Sequence, residues 1–503
     1  MTRSVRGRKN QTLLEAMRAV FPDAEAPCGG AGRCGRCRVR VAEGRMLRPA
    51  TAEEMRLFGS DDLAAGWRLA CLAEFAEDGE VGVRGEARAF FYPEPAEAGA
   101  PAGSPLCAAV DIGTTTIVCA LAETASGRIV GRAAAANPQR GYGSDVVTRI
   151  EHAVRSPADR TEMRRIVRAR AGEMLAGLLR AAGAAKPERI HICGNPTMLH
   201  LWEGADLSGL SRMPFRPDFL ESRPTEVELP GGSALPARLL PGISAFIGAD
   251  ISAGILACGL HEPKDRAELL IDIGTNGEIV LAAGGRLRAT ATAAGPAFEG
   301  VAVSCGMPAV AGAVDRVALV GGRVTFSTLG SLPPAGFCGS GLLDLLACLR
   351  RSGRMDGSGL LAASGAEGER SYALPSDPPL RITQADVRQL QLAKGAIAAG
   401  IRALCRSAGV PLADVARVHL AGAFGSSLSA ESALAVGLVP AELAGRLGAA
   451  GNTALAGALR TARKPELLET LSALCRSVTV LDLSREPGFE DSFAQGMGFP
   501  DLG

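Results

Sequence analysis

The sequence is poor in the features that narrow a function most quickly. Only 4% of its 503 residues are aromatic, five are histidine, and the net charge is +1. A chain so nearly neutral gives no electrostatic argument for a nucleic-acid partner or an anionic membrane surface. No apolar run approaches the roughly 18 residues of a membrane span. The Arg-rich N-terminus is not followed by the apolar stretch of a secretory signal. These absences predict a soluble, cytoplasmic protein with no nucleic-acid and no membrane partner. With 47% hydrophobic residues, the chain has the material for large cores. Its length suggests roughly two to four domains. Thirteen cysteines is an odd number, and most stand singly among apolar residues. That pattern reads as buried thiols in a reducing compartment, not a disulfide framework.

What is present is organised around one strand and turn, LLIDIGTNGEIV, residues 269–280. Leu269, Leu270, Ile271 and Ile273 make a short apolar run that fits a buried strand. Asp272 interrupts it, and Gly274, Thr275 and Asn276 turn the chain. Such a turn offers backbone N–H groups and hydroxyls to an anion, and the carboxylate beside it can hold Mg²⁺ or orient a water. The device recurs at AAVDIGTTTIV, residues 108–118, with Asp111, Gly113, Thr114, Thr115 and Thr116. One copy alone is a common hairpin. Two copies about 160 residues apart suggest two similar lobes facing one phosphate chain.

The N-terminal region carries a different chemistry. QTLLEAMRAV, residues 11–20, has apolar residues at helical spacing. Cys28, Cys34 and Cys37 then follow as C-x5-C-x2-C, and Cys71 stands alone further on. Four thiolates suit a [2Fe–2S] cluster, and the intervening glycines let backbone approach the sulfurs closely. A structural zinc site usually pairs two short C-x2-C hooks, and a thioredoxin-like pair needs a βαβ setting. Both remain alternatives, but neither matches this spacing as well. Gly30, Gly32 and Gly35 also spell GxGxxG. No strand feeds that stretch, so it carries no dinucleotide reading. Residues 1–88 resemble a ferredoxin β-grasp domain whose first strand is expected to be missing or shortened. Residues 89–106 are rich in Pro, Ala and Gly and read as a linker, whose last 16 residues would stretch to roughly 50 Å.

From residue 107 onward strands and helices alternate, the pattern of an α/β fold. Arg140 and Asp145 lie in a glycine-rich loop entering a helix, where a functional role and a capping role are equally open. His200 reads as a packed side chain. AFIGADISAGILACGL, 245–260, is a small-residue helix suited to a close crossing between lobes. Glu299 follows a turn in ATAAGPAFEG, and Ser340 lies where GFCGSGL opens a helix. Thr383 is the expected N-cap of a long helix over 381–405. RVHLAGAFG, 417–425, reads as a strand ending in a turn at Gly422 and Gly425.

This order of hairpin, hinge helix, hairpin and glycine turn resembles the acetate kinase/sugar kinase/heat-shock/actin ATPase superfamily. The strings GPAFEG, SCGM, GFCGSGL, TQADVRQLQLAKGAI and HLAGAFG are similar to one branch of it, the reductive activators of corrinoid enzymes. The resemblance implies an α/β protein with an N-terminal β-grasp ferredoxin-like domain and a two-lobed, actin-like (ribonuclease H-like) ATPase. Lobe I would span 107–262 and lobe II 263–503 with a C-terminal tail. Cys28, Cys34, Cys37 and Cys71 would ligate a [2Fe–2S] cluster. Asp111 and Asp272 would bind Mg²⁺ or place the attacking water. Gly113, Thr114, Thr115, Gly274, Thr275 and Asn276 would cradle the phosphates of ATP. Gly422 and Gly425 would flank adenosine, and Glu299 and Ser340 would meet ribose or phosphate. The partners implied are a corrinoid protein or corrinoid methyltransferase, reduced from cobalt(II) to cobalt(I), and an external low-potential electron donor. A redox sensor and a small-molecule kinase with an accessory cluster are the rival readings. Longer members of the branch place a middle domain between ferredoxin and ATPase that helps them dimerise. Only about 20 residues separate the two parts here, so that domain is expected to be absent and the oligomeric state is left open.

Overall fold

Alternation opens the chain, with Val5 wholly buried between exposed Ser4 and Arg6. The computed structural model describes residues 2–18, 20, 32, 37–42, 46–84, 92–94, 103–300, 302–363, 370–376, 379–422 and 428–501. Strands β1 (Thr2–Gly7), β2 (Arg38–Val41), β3 (Trp67–Leu69) and β4 (Gly79–Arg84) form a sheet of order β1-β4-β2-β3 with antiparallel pairings. Among the described residues a single strand, β1, precedes the first helix, where a β-hairpin is the usual start. It pairs with β4 from Thr2 opposite Arg84 to Gly7 opposite Gly79. Gly7 is needed there, because a Cβ would lie 2.2 Å from the Phe75 ring. The helix Leu13–Met17 follows, closed by a Thr12–Glu15 capping box, and buries Leu13, Leu14, Ala16 and Met17.

The linker stretch contains one short strand. Within 89–106, residues Tyr92–Glu94 form a strand, β5, that pairs antiparallel with residues 132–134 of the next sheet. That sheet continues with β6 (Leu106–Ile112), β7 (Thr116–Glu123), β8 (Ile129–Ala136), β9 (Arg189–Gly194), β10 (Arg223–Glu228) and β11 (Ala234–Leu239). Its order is β10-β11-β9-β6-β7-β8-β5.

The second half repeats the plan. β12 (Ala267–Ile273), β13 (Gly277–Ala283) and β14 (Arg286–Thr292) form an antiparallel meander. Two side sheets follow: β15 (Ala313–Val320), β16 (Arg323–Thr328) and β17 (Gly336–Phe337), then the pair β18 (Ser371–Ala373) and β19 (Arg381–Thr383). β20 (Val415–Ala421), β21 (Leu447–Gly451) and β22 (Thr479–Val480) complete the main sheet in the order β21-β20-β12-β13-β14-β22. The runs β9-β6-β7-β8 and β20-β12-β13-β14 match strand for strand, with β6–β9 and β12–β20 parallel. The long helix Gln384–Ser407 starts at Thr383 as expected, in a capping box with Asp386.

Two helices join the halves by crossing. The small-residue stretch becomes helix Ala249–Ala257, and its partner is Thr453–Arg463. A Cβ on Gly254 would sit 2.9 Å from Thr453 Oγ1, and one on Gly457 would sit 2.0 Å from the Ala253 carbonyl oxygen. Only glycine permits this approach. The helix Thr453–Arg463 follows the second sheet in sequence but packs on the first. His191 Nδ1 lies 2.8 Å from Thr461 Oγ1, and Arg189 Nε donates to the Ala462 carbonyl at 2.7 Å.

Candidate active site: a carboxylate-lined cleft between paired hairpins

The duplicated strands bring the two hairpins to opposite walls of one cleft of about 450 Å³. In each hairpin the glycine N–H closes the turn, Gly113 onto Thr116 O at 3.0 Å and Gly274 onto Asn276 O at 2.9 Å. The hydroxyls are left to face the cleft. Glu299 ties the walls together, accepting from Thr115 Oγ1 at 2.5 Å and from Thr275 Oγ1 at 3.0 Å. A Cβ placed on Gly274 would meet nothing nearer than 3.8 Å, so that position opens onto the cleft.

Asp111 and Asp272 stand at the strand ends below the hairpins, and the fold adds two carboxylates that motif reading did not single out. Asp250 enters from the first turn of the crossing helix Ala249–Ala257. Glu278 lies directly opposite Asp272 in the β12–β13 register. Asn452, the N-cap of the other crossing helix, donates to Asp111 Oδ2 at 2.7 Å. Asn195 donates to Thr114 Oγ1 at 3.0 Å. A signal for the two asparagines existed in the chain. Gly-Asn opens a helix both at Gly194–Asn195 and at Gly451–Asn452.

Burial, with Asp250 and Asp111 adding like charge, pushes the Asp272 carboxyl up to about 8. Burial pushes Asp111 up to about 6, against the opposing pull of the Asn452 amide. Asp250, Glu278 and Glu299 are raised too, first by burial. So many desolvated carboxylates mark a site that gains by taking up positive charge. All-oxygen donors suit Mg²⁺. Among the described residues no three acidic, His or Cys side chains converge tightly enough to cage an ion. Mg²⁺ usually takes one or two carboxylates and completes its shell with phosphate and water.

A pH prediction follows. A carboxyl whose folded pKa is raised contributes stability that is full below the unfolded value and is lost as pH rises through the folded one. For Asp111 and Asp272 the loss runs from about 4 up through about 6 and about 8. The melting temperature of the nucleotide- and Mg²⁺-free protein should fall between about pH 6 and about pH 8.5, and Mg²⁺ with nucleotide should flatten the slope. Calorimetric scans across that range check it; a Tm that climbs with pH would contradict the assignment.

The other predicted residues fall as follows. Gly422 (φ +92°) lines the cleft, but a Cβ there would meet Ile273 O at 2.5 Å and Asp272 Oδ1 at 2.7 Å. It therefore abuts the carboxylate wall. Gly425 lies outside the described residues. Ser340 does not line the cleft; its hydroxyl donates to the Asp315 carbonyl at 2.9 Å, although its neighbour Gly339 does line it. Arg140 faces the cleft, whereas Asp145 caps helix Val146–Arg155 through the Thr148 N–H at 2.8 Å. His200 is packed, stacked on Phe219 with ring centroids 4.2 Å apart. In the N-terminal domain, Cys37 and Cys71 come together from 34 residues apart, with their sulfurs 3.2 Å from each other. A buried bidentate pair, Arg68–Glu54 at 2.9 and 3.0 Å, braces the strand leading to Cys71, and Glu54 also accepts from the Leu69 N–H. Two converging thiols in a buried pocket suit the iron cluster. Cys28 and Cys34 lie outside the described residues.

Three family models cover almost the whole chain: a 2Fe-2S iron-sulfur cluster binding domain over 1–75, the RACo middle region over 106–263, and the C-terminal domain of RACo, the ASKHA domain, over 266–503. The corrinoid activation enzyme RamQ of Eubacterium limosum is 30% identical over 418 residues, covering 78% of this chain and 70% of that protein. The chain belongs to the RACo family. A second relative, the [Co(II) methylated amine-specific corrinoid protein] reductase of Methanosarcina barkeri, is 26% identical over 337 residues, 59% of each protein. The solved structure of a reductive activator for corrinoid,iron-sulfur protein superposes with a TM-score of 0.71 at 27% identity, covering 98% of this chain and 96% of that one. The fold is thus a ferredoxin-like domain joined to an actin-like ATPase. The match to the RACo middle region coincides with the sheet from β6 to β11, the half that carries the first hairpin. It is the stretch that the sequence assigns to lobe I.

Proposed function

We propose that this protein reactivates a corrinoid protein by ATP-dependent, one-electron reduction of cobalt(II) to cobalt(I). The observation that carries the reading is the joining, in one RACo-family chain, of a converging cysteine pair and a carboxylate-lined cleft between paired phosphate-type hairpins. Cys28, Cys34, Cys37 and Cys71 would hold a [2Fe–2S] cluster, which when bound supplies one-electron chemistry. Asp111 and Asp272 would hold Mg²⁺ with the nucleotide phosphates, and Asp272 would orient the attacking water. Thr114, Thr115 and Thr275 would meet the phosphates, and Glu299 would hold the walls in register. The substrate, a cobalt(II) corrinoid, accepts one electron that comes from an external low-potential donor. Each roughly 59 mV of shortfall between donor and cobalt costs tenfold in the equilibrium. ATP turnover would offset that shortfall by remodelling or releasing the partner complex, which requires the partner to bind the ATP and ADP states unequally. Among the described residues no helix is long and apolar enough to cross a membrane.

The test mixes reduced protein, a cobalt(II) corrinoid protein from the same gene neighbourhood, and Mg-ATP, and follows the cobalt(I) absorbance. ATP-dependent appearance of cobalt(I) supports the reading. A yield indifferent to ATP across such partners sinks it.

A further inference from the structure

The first phosphate-type hairpin is held from behind by one segment. Asn137 N–H donates to the Thr115 carbonyl at 2.9 Å, and Asn137 Nδ2 donates to the Gly113 carbonyl at 2.8 Å. Arg149 Nη2 donates to the Thr114 carbonyl at 2.6 Å, and its Nε donates to the Gly143 carbonyl at 2.9 Å. All three carbonyls of the hairpin are thereby bound by the 137–149 segment, and between those anchors Arg140 faces the cleft. The opposite side of the same turn meets the ferredoxin domain. Arg18, which directly follows helix Leu13–Met17, donates from its guanidinium to the Gly141 carbonyl. The same guanidinium lies over the Tyr142 ring, 4.3 Å from its centroid. A cation over an aromatic face adds attraction to the hydrogen bond.

We propose that the outer face of turn 137–143 is a docking surface for the chain's own ferredoxin domain, and that the nucleotide in the cleft sets how firmly the domain is held there. The reasoning is mechanical. Only Gly141 separates Arg140, on the cleft side, from Tyr142, on the docking side; Asn137 ties the turn to the hairpin by two hydrogen bonds, and Arg149 bridges Gly143 of the turn to Thr114 of the hairpin. A phosphate that draws Arg140 or the hairpin hydroxyls moves the Gly141 carbonyl and the Tyr142 ring with them. By linkage, whatever the nucleotide does to docking, docking does to nucleotide affinity by the same factor. The ferredoxin is parked in one nucleotide state and released in the other. This rests on reading the cleft as a nucleotide site.

The experiment uses the full-length, cluster-loaded protein and measures by calorimetry the affinities for Mg-ADP and a slowly hydrolysed Mg-ATP analogue. Arg18→Gln should change the ratio of the two affinities by about fivefold or more, the low end of ordinary allosteric couplings. Tyr142→Leu should change it in the same sense. The double variant should do no more than either alone, because the two side chains form one contact. Tyr142→Phe keeps the ring face and should retain the parent's ratio. An unchanged ratio in Arg18→Gln, or effects of the two substitutions that simply add, overturns the proposal. A parent that binds neither nucleotide overturns it too, and takes the nucleotide reading with it.

Discussion

Asp272→Asn should lower ATP hydrolysis by about 10²-fold or more, since one positioned acid–base group commonly contributes that much, while leaving nucleotide binding largely in place. The contrast comes from the packing around this carboxylate. Bare backbone at Gly422 leaves it room, with the site of a missing Cβ only 2.7 Å from Asp272 Oδ1. Asparagine keeps the shape, so the wall of the cleft should survive. What it removes is the negative charge that the carboxyl takes on once a cation offsets its burial, and that would align a water or an Mg²⁺ ligand. Asp111→Asn should weaken nucleotide binding more, because Asp111 is the carboxylate already gripped by Asn452 at 2.7 Å and so the better fixed anchor for the cation. Steady-state hydrolysis and calorimetric Kd values for the two variants decide the matter. Equal losses of binding and hydrolysis in both would remove the division of labour.

Cys71→Ala should abolish cobalt(I) formation altogether while ATP hydrolysis persists. Its sulfur lies 3.2 Å from that of Cys37, and both side chains are buried in the ferredoxin core. Removing one thiolate leaves too few ligands for the cluster. Among the described residues, none that lines the cleft belongs to the ferredoxin domain, so the chemistry there has no direct need of that sulfur. Iron content near two per chain in the parent, lost in the variant, with hydrolysis within a few-fold of the parent, is the expected result. Stoichiometric zinc in anaerobically prepared parent protein would replace the redox reading of these cysteines by a structural one.

How far the sequence displayed this site depends on where each residue originates. Asp111 and Asp272 sit in short apolar strands followed at once by Gly-Thr, so strand, carboxylate and turn are contiguous and readable. Asp250 and Asn452 lie at the starts of two helices that meet only because Gly254 and Gly457 let them cross. Their place in the cleft is a tertiary fact, and the small-residue pattern announced the crossing without its cargo. Arg149 resembles any helical arginine in the sequence, yet it is wholly buried behind Thr114. β1 is faint in the sequence because only Val5 among its six residues is strongly apolar, and as an edge strand it bonds to β4 alone. β5 is faint for a similar reason. Tyr-Pro-Glu within a Pro- and Ala-rich stretch reads as a linker, although proline is compatible with a sheet edge.

The edge pairing of β5 changes the geometry of electron delivery. With Tyr92–Glu94 fastened to the ATPase sheet, only the seven residues 85–91 lie between that anchor and the end of β4 at Arg84. Even fully extended they reach roughly 23 Å at about 3.3 Å per residue. The ferredoxin domain is thus on a short leash. Any acceptor it serves must lie within that radius, extended only by the breadth of the domain itself. Short tethers hold a module at effective concentrations on the order of millimolar. At that concentration a weak affinity between ferredoxin and acceptor fills the encounter complex, and the same weakness lets the domain leave quickly once the electron has passed.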